Sequence, residues 1–139
     1  MTEGYTIVPR VPDLDVYLRL RSDAGLSQRS PEQAALALAG SWWGCHVVHG
    51  ASQEVVAMGR VIGDGGWYFH IADMATRPAH QRRGLGGVVM EALLGRIGAA
   101  APGEAFVSLM ADPPGRALYS KFGFAEDRQT SVGMFLWLR

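Results

Sequence analysis

Polar and apolar positions along this chain follow two rhythms, one helical and one alternating. Residues 5–8, Tyr-Thr-Ile-Val, form a short β-branched run closed by Pro9, which predicts a strand. Beyond Pro12-Asp13, the side chains of Leu14, Tyr17, Leu18 and Arg21 recur at helical spacing until Gly25, which predicts a first helix. Ser30-Pro31-Glu32-Gln33 is a compact helix start, with serine as N-cap, proline at the first helical position and glutamine placed for a capping box. The helix it opens runs through residues 34–39 and stops at Gly40.

At Trp42 the period changes. Residues 42–48 and 54–62 are rich in β-branched and aromatic side chains, with Gly50-Ala51-Ser52 as the turn between them. Residues 67–75 follow the Gly63-Asp64-Gly65-Gly66 turn as the third strand of a meander. A polar loop over residues 76–83 leads into a helix over 84–99, whose Val88, Leu93, Leu94 and Ile97 share one buried face. Residues 105–110 predict a strand, 113–121 a short helix and 132–138 a final strand. With no repeat, low-complexity tract or linker, one mixed α/β domain over residues 1–139 accounts for the whole pattern.

Composition narrows the function. Thirteen basic and thirteen acidic side chains cancel, so no global field favours nucleic acid or an anionic membrane. A phosphate-bearing partner must instead be held by a local cluster. No apolar run is long enough to cross a bilayer, the N-terminus lacks the pattern of a signal peptide, and the cytoplasm is the expected compartment. Cys45 is the lone cysteine, which excludes an intrachain disulfide; among Trp42, Trp43 and Val47 it reads as a small apolar residue of a buried strand. His46, His49 and His80 have no partners at metal-ligand spacing, so no metal is expected.

The local cluster is Gln81-Arg82-Arg83-Gly84-Leu85-Gly86-Gly87, between a predicted strand and a predicted helix. First-turn N–H groups lack intrahelical partners, the helix dipole favours negative charge there, and glycines let a pyrophosphate come close to the backbone. Arg82 and Arg83 add charge-assisted donors. A dinucleotide-binding turn would need the glycines directly after the first strand of a parallel unit, and a P-loop would need Gly-Lys-Ser/Thr; neither is present. What remains is a pyrophosphate site of another kind, or a plain tight connection with a basic, solvated loop.

Asp73-Met74-Ala75-Thr76-Arg77-Pro78 followed by Gln81-Arg82-Arg83-Gly84-Leu85-Gly86 resembles the acyl-CoA-binding motif of the GNAT superfamily of N-acetyltransferases. Ala117-Leu118-Tyr119-Ser120-Lys121-Phe122-Gly123-Phe124 resembles its second signature, a helix that carries a tyrosine and ends in Gly-Phe. The order of elements also fits, so the resemblance covers essentially the whole chain. It implies a single-domain GNAT fold: a central mixed, mostly antiparallel sheet flanked by helices. It further implies acetyl-CoA as cosubstrate, with backbone groups of Met74, Ala75 and Thr76 on the pantetheine arm. Arg82, Arg83, Gly84, Leu85, Gly86 and Gly87 would take the pyrophosphate. Asp112 stands where the superfamily often has asparagine, seven residues before the tyrosine.

Acetylating an amine requires deprotonation of the nucleophile, stabilisation of a tetrahedral oxyanion and protonation of the departing thiolate. Tyr119 suits the last role, because a phenol of pKa about 10 lies near a thiol in acidity; the alternative is a ring that packs beneath the cofactor helix. For the base, alternation puts Tyr68, His70, Ala72 and Met74 on one strand face and Asp73 on the other. His70 then points into the cofactor cleft and also matches, by its offset from Thr76, a histidine of some arylalkylamine acetyltransferases of the superfamily; a satisfied core histidine and deprotonation through water remain open. Trp42, Trp43, Trp67 and Tyr68 read first as core and strand-edge packing and second as the lining of an apolar acceptor pocket. The expected acceptor is a small-molecule primary amine, attacked directly; a protein or peptide acceptor and a non-catalytic acyl-CoA-binding regulatory module are the alternatives. A homodimer is compatible with the sequence.

Overall fold

The structure, a computed structural model, describes residues 3–127 and 129–139. Strands β1 (Tyr5–Val8), β2 (Trp43–His49), β3 (Val55–Gly63), β4 (Tyr68–Thr76) and β5 (Phe106–Leu109) lie side by side in sequence order. The first three pairings are antiparallel and β4–β5 is parallel. That difference follows from the connections. Tight turns join β2 to β3 and β3 to β4, whereas β4 reaches β5 only through the crossover helix α3 (Leu85–Ala100).

Helices α1 (Leu14–Asp23) and α2 (Pro31–Ala39) cover one face of the sheet and α3 the other. Ser30 caps α2 as expected, its hydroxyl accepting from the Gln33 N–H at 3.1 Å. On the α3 face Leu85, Val89, Met90, Leu93 and Ile97 meet Val47, Val61, Phe69 and Ile71, while Val88 and Leu94 are only partly buried. Cys45 lies in this core, where burial pushes its thiol up to about 12. On the other face Tyr17 and Leu20 of α1 pack with Ala34, Met58 and Ala75. The predicted helix over residues 113–121 is a 3-10 turn, Pro113–Gly115, leading into α4 (Arg116–Lys121).

The expected final strand does not form. Residues 132–138 have no ladder partner, and their large apolar side chains are 62 to 92 % exposed. β-branched and aromatic composition favours a pleated, half-buried surface, but a strand exists only where another backbone supplies its hydrogen bonds. Among the described residues, no helix is long and apolar enough to cross a membrane.

Candidate active site

The site is built on an irregularity in β4. Arg60 pairs with Ala72 and Met58 with Ala75, so Gly59 faces two residues, Asp73 and Met74: a β-bulge. Asp73 takes the left-handed conformation that accommodates the extra residue (φ 57°). The bulge inverts the alternation of side chains, and this corrects the sequence-based parity. Asp73 joins the α1 side, the face of His70, where it accepts hydrogen bonds from Tyr17, Arg21 and Arg60. Met74 turns to the α3 face, packing toward Val89 and Leu93 over Gly59. His70 and Met74 therefore do not share a face.

Beside the bulge the sheet splays open. β4 and β5 pair only from Tyr68↔Phe106 to Ile71↔Leu109, so the main chain of β4 from Ala72 to Thr76 has no ladder partner on its β5 side. These N–H and C=O groups can hydrogen-bond an extended chain laid alongside. The stretch contains Met74, Ala75 and Thr76.

One 3-10 turn, Pro78–His80, separates the end of β4 from the start of α3. Arg82 (φ 63°) and Gly84 (φ 79°) are both left-handed; Gly84 is the N-cap, and no side chain caps the helix. The first-turn N–H groups of Leu85, Gly86 and Gly87 are thus left without a side-chain acceptor. Gly84 is a glycine for its backbone conformation. Gly86 is one for a different reason than phosphate approach alone, since a Cβ there would lie 2.9 Å from the Leu118 side chain of α4. Arg82 and Arg83 are both exposed; Arg83 donates to the Tyr5 hydroxyl at 2.8 Å, and that hydroxyl lies 2.8 Å from His80 Nδ1. Arg83 is thereby tied to β1, with its charge kept beside the helix start.

A cleft of about 850 Å³ lies between α1–α2 and the splayed strands, and Tyr17, Arg60, His70, Asp73, Met74 and Tyr119 are among its lining. The ring of Tyr119 packs on Gly115 and in edge contact with Phe124, centroids 6.3 Å apart. Burial, and then the charge of Asp112, raise its pKa above the usual tyrosine value, so the phenol stays protonated at neutral pH. His70 Nδ1 is 2.8 Å from Ser108 Oγ, its register partner on β5, and Ser108 Oγ is 3.5 Å from the Phe69 carbonyl oxygen. With the hydroxyl donated to that carbonyl, Nδ1–H donates to Ser108 and the Nε2 lone pair is free to accept a proton. Burial, and then the Arg60 charge, lower the His70 pKa and keep the ring neutral.

The four aromatic residues do not line the cleft. Trp42 packs edge-on to Phe69 with centroids 5.0 Å apart and lies under Arg96 of α3; Trp43 also packs on the α3 core. Trp67 and Tyr68 are exposed and contact each other. What sequence reasoning missed is the cluster around Asp73, the serine behind His70, and the tail residues Phe135, Leu136 and Trp137 at the cleft wall. One signal for the first was available: Arg21 sits on the apolar stripe of α1, where a charge needs a buried partner. Among the described residues no group of three or more potential metal ligands occurs.

Comparison with known proteins identifies the family and the fold. Residues 41–126 match the acetyltransferase (GNAT) domain model, and the chain belongs to that family. It is 33 % identical over 89 residues to ycf52 of Porphyra purpurea, an uncharacterized N-acetyltransferase. That match covers 64 % of this chain, which spans about half the length of the relative. The crystal structure of a probable acetyltransferase of unknown function from meticillin-resistant Staphylococcus aureus superposes with a TM-score of 0.87 at 32 % identity. That superposition covers 96 % of this chain and 99 % of the other. A GNAT-family acetyltransferase of Streptococcus pneumoniae gives 0.80 at 23 % identity, over 97 % and 98 % of the two chains, and shares the fold.

Proposed function

We propose that the chain transfers an acetyl group from acetyl-CoA to the primary amine of a small molecule. The observation that carries this reading is the meeting of three features: unpaired β4 backbone at the bulge, the uncapped start of α3 packed on α4 where Gly86 meets Leu118, and Tyr119 of α4 in the cleft. Backbone groups of Met74, Ala75 and Thr76 suit the amide-bearing pantetheine arm. The N–H groups of Leu85, Gly86 and Gly87, after the left-handed Gly84 and with Arg82 and Arg83 alongside, suit the pyrophosphate.

In the transfer, the amine lone pair attacks the thioester carbonyl carbon directly and a tetrahedral intermediate forms. As it collapses, the C–S bond breaks and the leaving sulfur takes the proton of the Tyr119 hydroxyl. The surplus proton on nitrogen passes to His70 Nε2, or through water, and returns to the phenolate. The net result is an amide and a free thiol. Tyr119 is kept protonated and His70 unprotonated by the same burial that forms the cleft, and this supports opposite roles for the two groups.

The cleft wall contributed by Phe135, Leu136 and Trp137 favours a compact acceptor over a polypeptide strand. The same exposed tail supports self-association as a homodimer, because patches of this kind mark protein contacts. The free thiol of Cys45, held in the core, suits a cytoplasmic protein. The test is thiol release from acetyl-CoA across a panel of small amines and short peptides, with the product amide identified by mass. Acetyl-CoA that stabilises the fold without any amine being acetylated would leave a binding module instead.

A further inference from the structure

The charge around Asp73 does not balance. One carboxylate receives two guanidiniums, Arg21 and Arg60, and the three side chains are 9 to 13 % exposed. Its oxygens are fully engaged: Oδ1 with Arg21, and Oδ2 with Tyr17 and with Arg60 Nε at 2.6 Å. The wall of the cleft therefore holds one nearly buried positive charge in excess. Arg21 Nε is the one buried side-chain nitrogen or oxygen without a hydrogen-bond partner among the described residues. A third cation, Arg29, lines the same end from the α1–α2 loop, its guanidinium 5.5 Å from the ring centroid of Trp137. Beyond Asp73, the carboxylate lining the cleft is Asp112, which acts on Tyr119. The cleft is thus polarised, positive at the α1–α2 end and negative beside the tyrosine.

A buried charge without a counter-ion is costly unless an opposite charge arrives to neutralise it. A substrate that bears a cation at one end and an anion at the other would enter this field in one orientation, with its ammonium toward Asp112 and Tyr119. We propose that the acceptor carries an anionic group, a carboxylate or a phosphate, in addition to its primary amine, and that this group is bound by Arg29 and by Nη2 of Arg60, whose Nε holds Asp73 and whose Nη1 donates to the Ala37 carbonyl and Ser41 hydroxyl. Arg21 reinforces the site through its charge and braces Asp73. This assignment of the substrate class rests on the acyltransferase reading above.

Matched pairs of acceptors test it: amino acids against their methyl esters, and amino sugars against their phosphates, each assayed for kcat/KM with acetyl-CoA. A charge-assisted hydrogen bond predicts that the anionic member is favoured by about tenfold or more. Preference in the carboxylate pairs, in the phosphate pairs or in both supports the site and identifies the group. Because Arg60 also holds Asp73, the decisive variant is Arg29→Gln in the exposed loop, which should shrink the preference by about tenfold through KM of the anionic member. Equal rates within every pair, or a preference unchanged in Arg29→Gln, overturn the proposal and leave the acyltransferase reading intact. Thermal shifts with the same compounds, without acetyl-CoA, separate the two failures. Selective stabilisation by the anionic members without turnover would sink the acyltransferase reading and keep the anion site; no selectivity in either assay overturns the site.

Discussion

If the Tyr119 hydroxyl is the acid of the reaction, its position is exposed to a perturbation that leaves the residue itself untouched. Gly115 lies directly beneath the ring, and a Cβ there would stand 2.7 Å from Cε2 and 2.8 Å from both Cζ and the hydroxyl oxygen. Gly115 has φ −91° and ψ −12°, a conformation any residue adopts, so Gly115→Ala should fold with a stability change of about 1 kcal/mol or less. Ordinary contact begins near 3.4 Å, so the ring must move by at least about 0.6 Å. A misplacement of about 1 Å in a reacting group costs up to a hundredfold. Roughly half that displacement should lower kcat by about tenfold, or about 1.4 kcal/mol of barrier. The acetyl-CoA KM should stay within about threefold, because Gly115 does not belong to the backbone of β4 or α3. Single-turnover acetylation measured in Gly115→Ala, in Tyr119→Phe and in the double variant isolates the cause. In the Tyr119→Phe background no hydroxyl remains to be displaced, so Gly115→Ala should add little. An undiminished rate in Gly115→Ala, or a full tenfold loss that persists in the double variant, refutes the argument.

Tyr119→Phe keeps the ring contacts and should lower turnover by about ten- to a thousandfold with near-normal acetyl-CoA affinity; unchanged single-turnover rates would leave the residue a packing role. His70→Gln, compared with the parent on one amine, should flatten the rise of kcat/KM with pH, and an unaltered profile would point to proton relay through water. Gly84→Asp places a side chain and a like charge at a left-handed helix start, so acetyl-CoA should no longer raise the melting temperature; retention of that shift would remove the α3 start from cofactor binding. Stability should fall on acidification through about pH 6.5, because burial lowers the pKa values of His46, His70 and His80. Below that pH the unfolded chain binds protons that the folded chain refuses, so stability present above the unfolded histidine pKa is lost as pH falls toward the folded values. A melting temperature that is flat or rises between pH 7.5 and 5.5 contradicts this.

The serine at position 30 and the proline after it announced α2, and the helical recurrence of Leu14, Tyr17 and Arg21 announced α1, because caps and amphipathic stripes are local devices. The glycines and arginines of 81–87 likewise placed an uncapped helix start after β4, since a left-handed N-cap and unpaired N–H groups are decided within one turn of chain. Tyr119 could be singled out from its segment, although its distance from that helix start could not. Strand parity was the point where reading along the chain failed. Asp73 and Met74 exchanged faces because two residues of β4 oppose one of β3, and a bulge depends on the partner strand. The apolar residues 132–138 failed for a related reason, as their composition suits a strand but no neighbouring backbone pairs with them. The charge hub brings together Arg21, Arg60 and Asp73 from one helix and two strands, and the serine behind His70 comes from β5. Sequence by itself determined the elements from β1 to α4, their order and the residues at the start of α3. Tertiary structure alone decided which side chains meet in the cleft, because pairing and burial join positions that local propensity cannot relate.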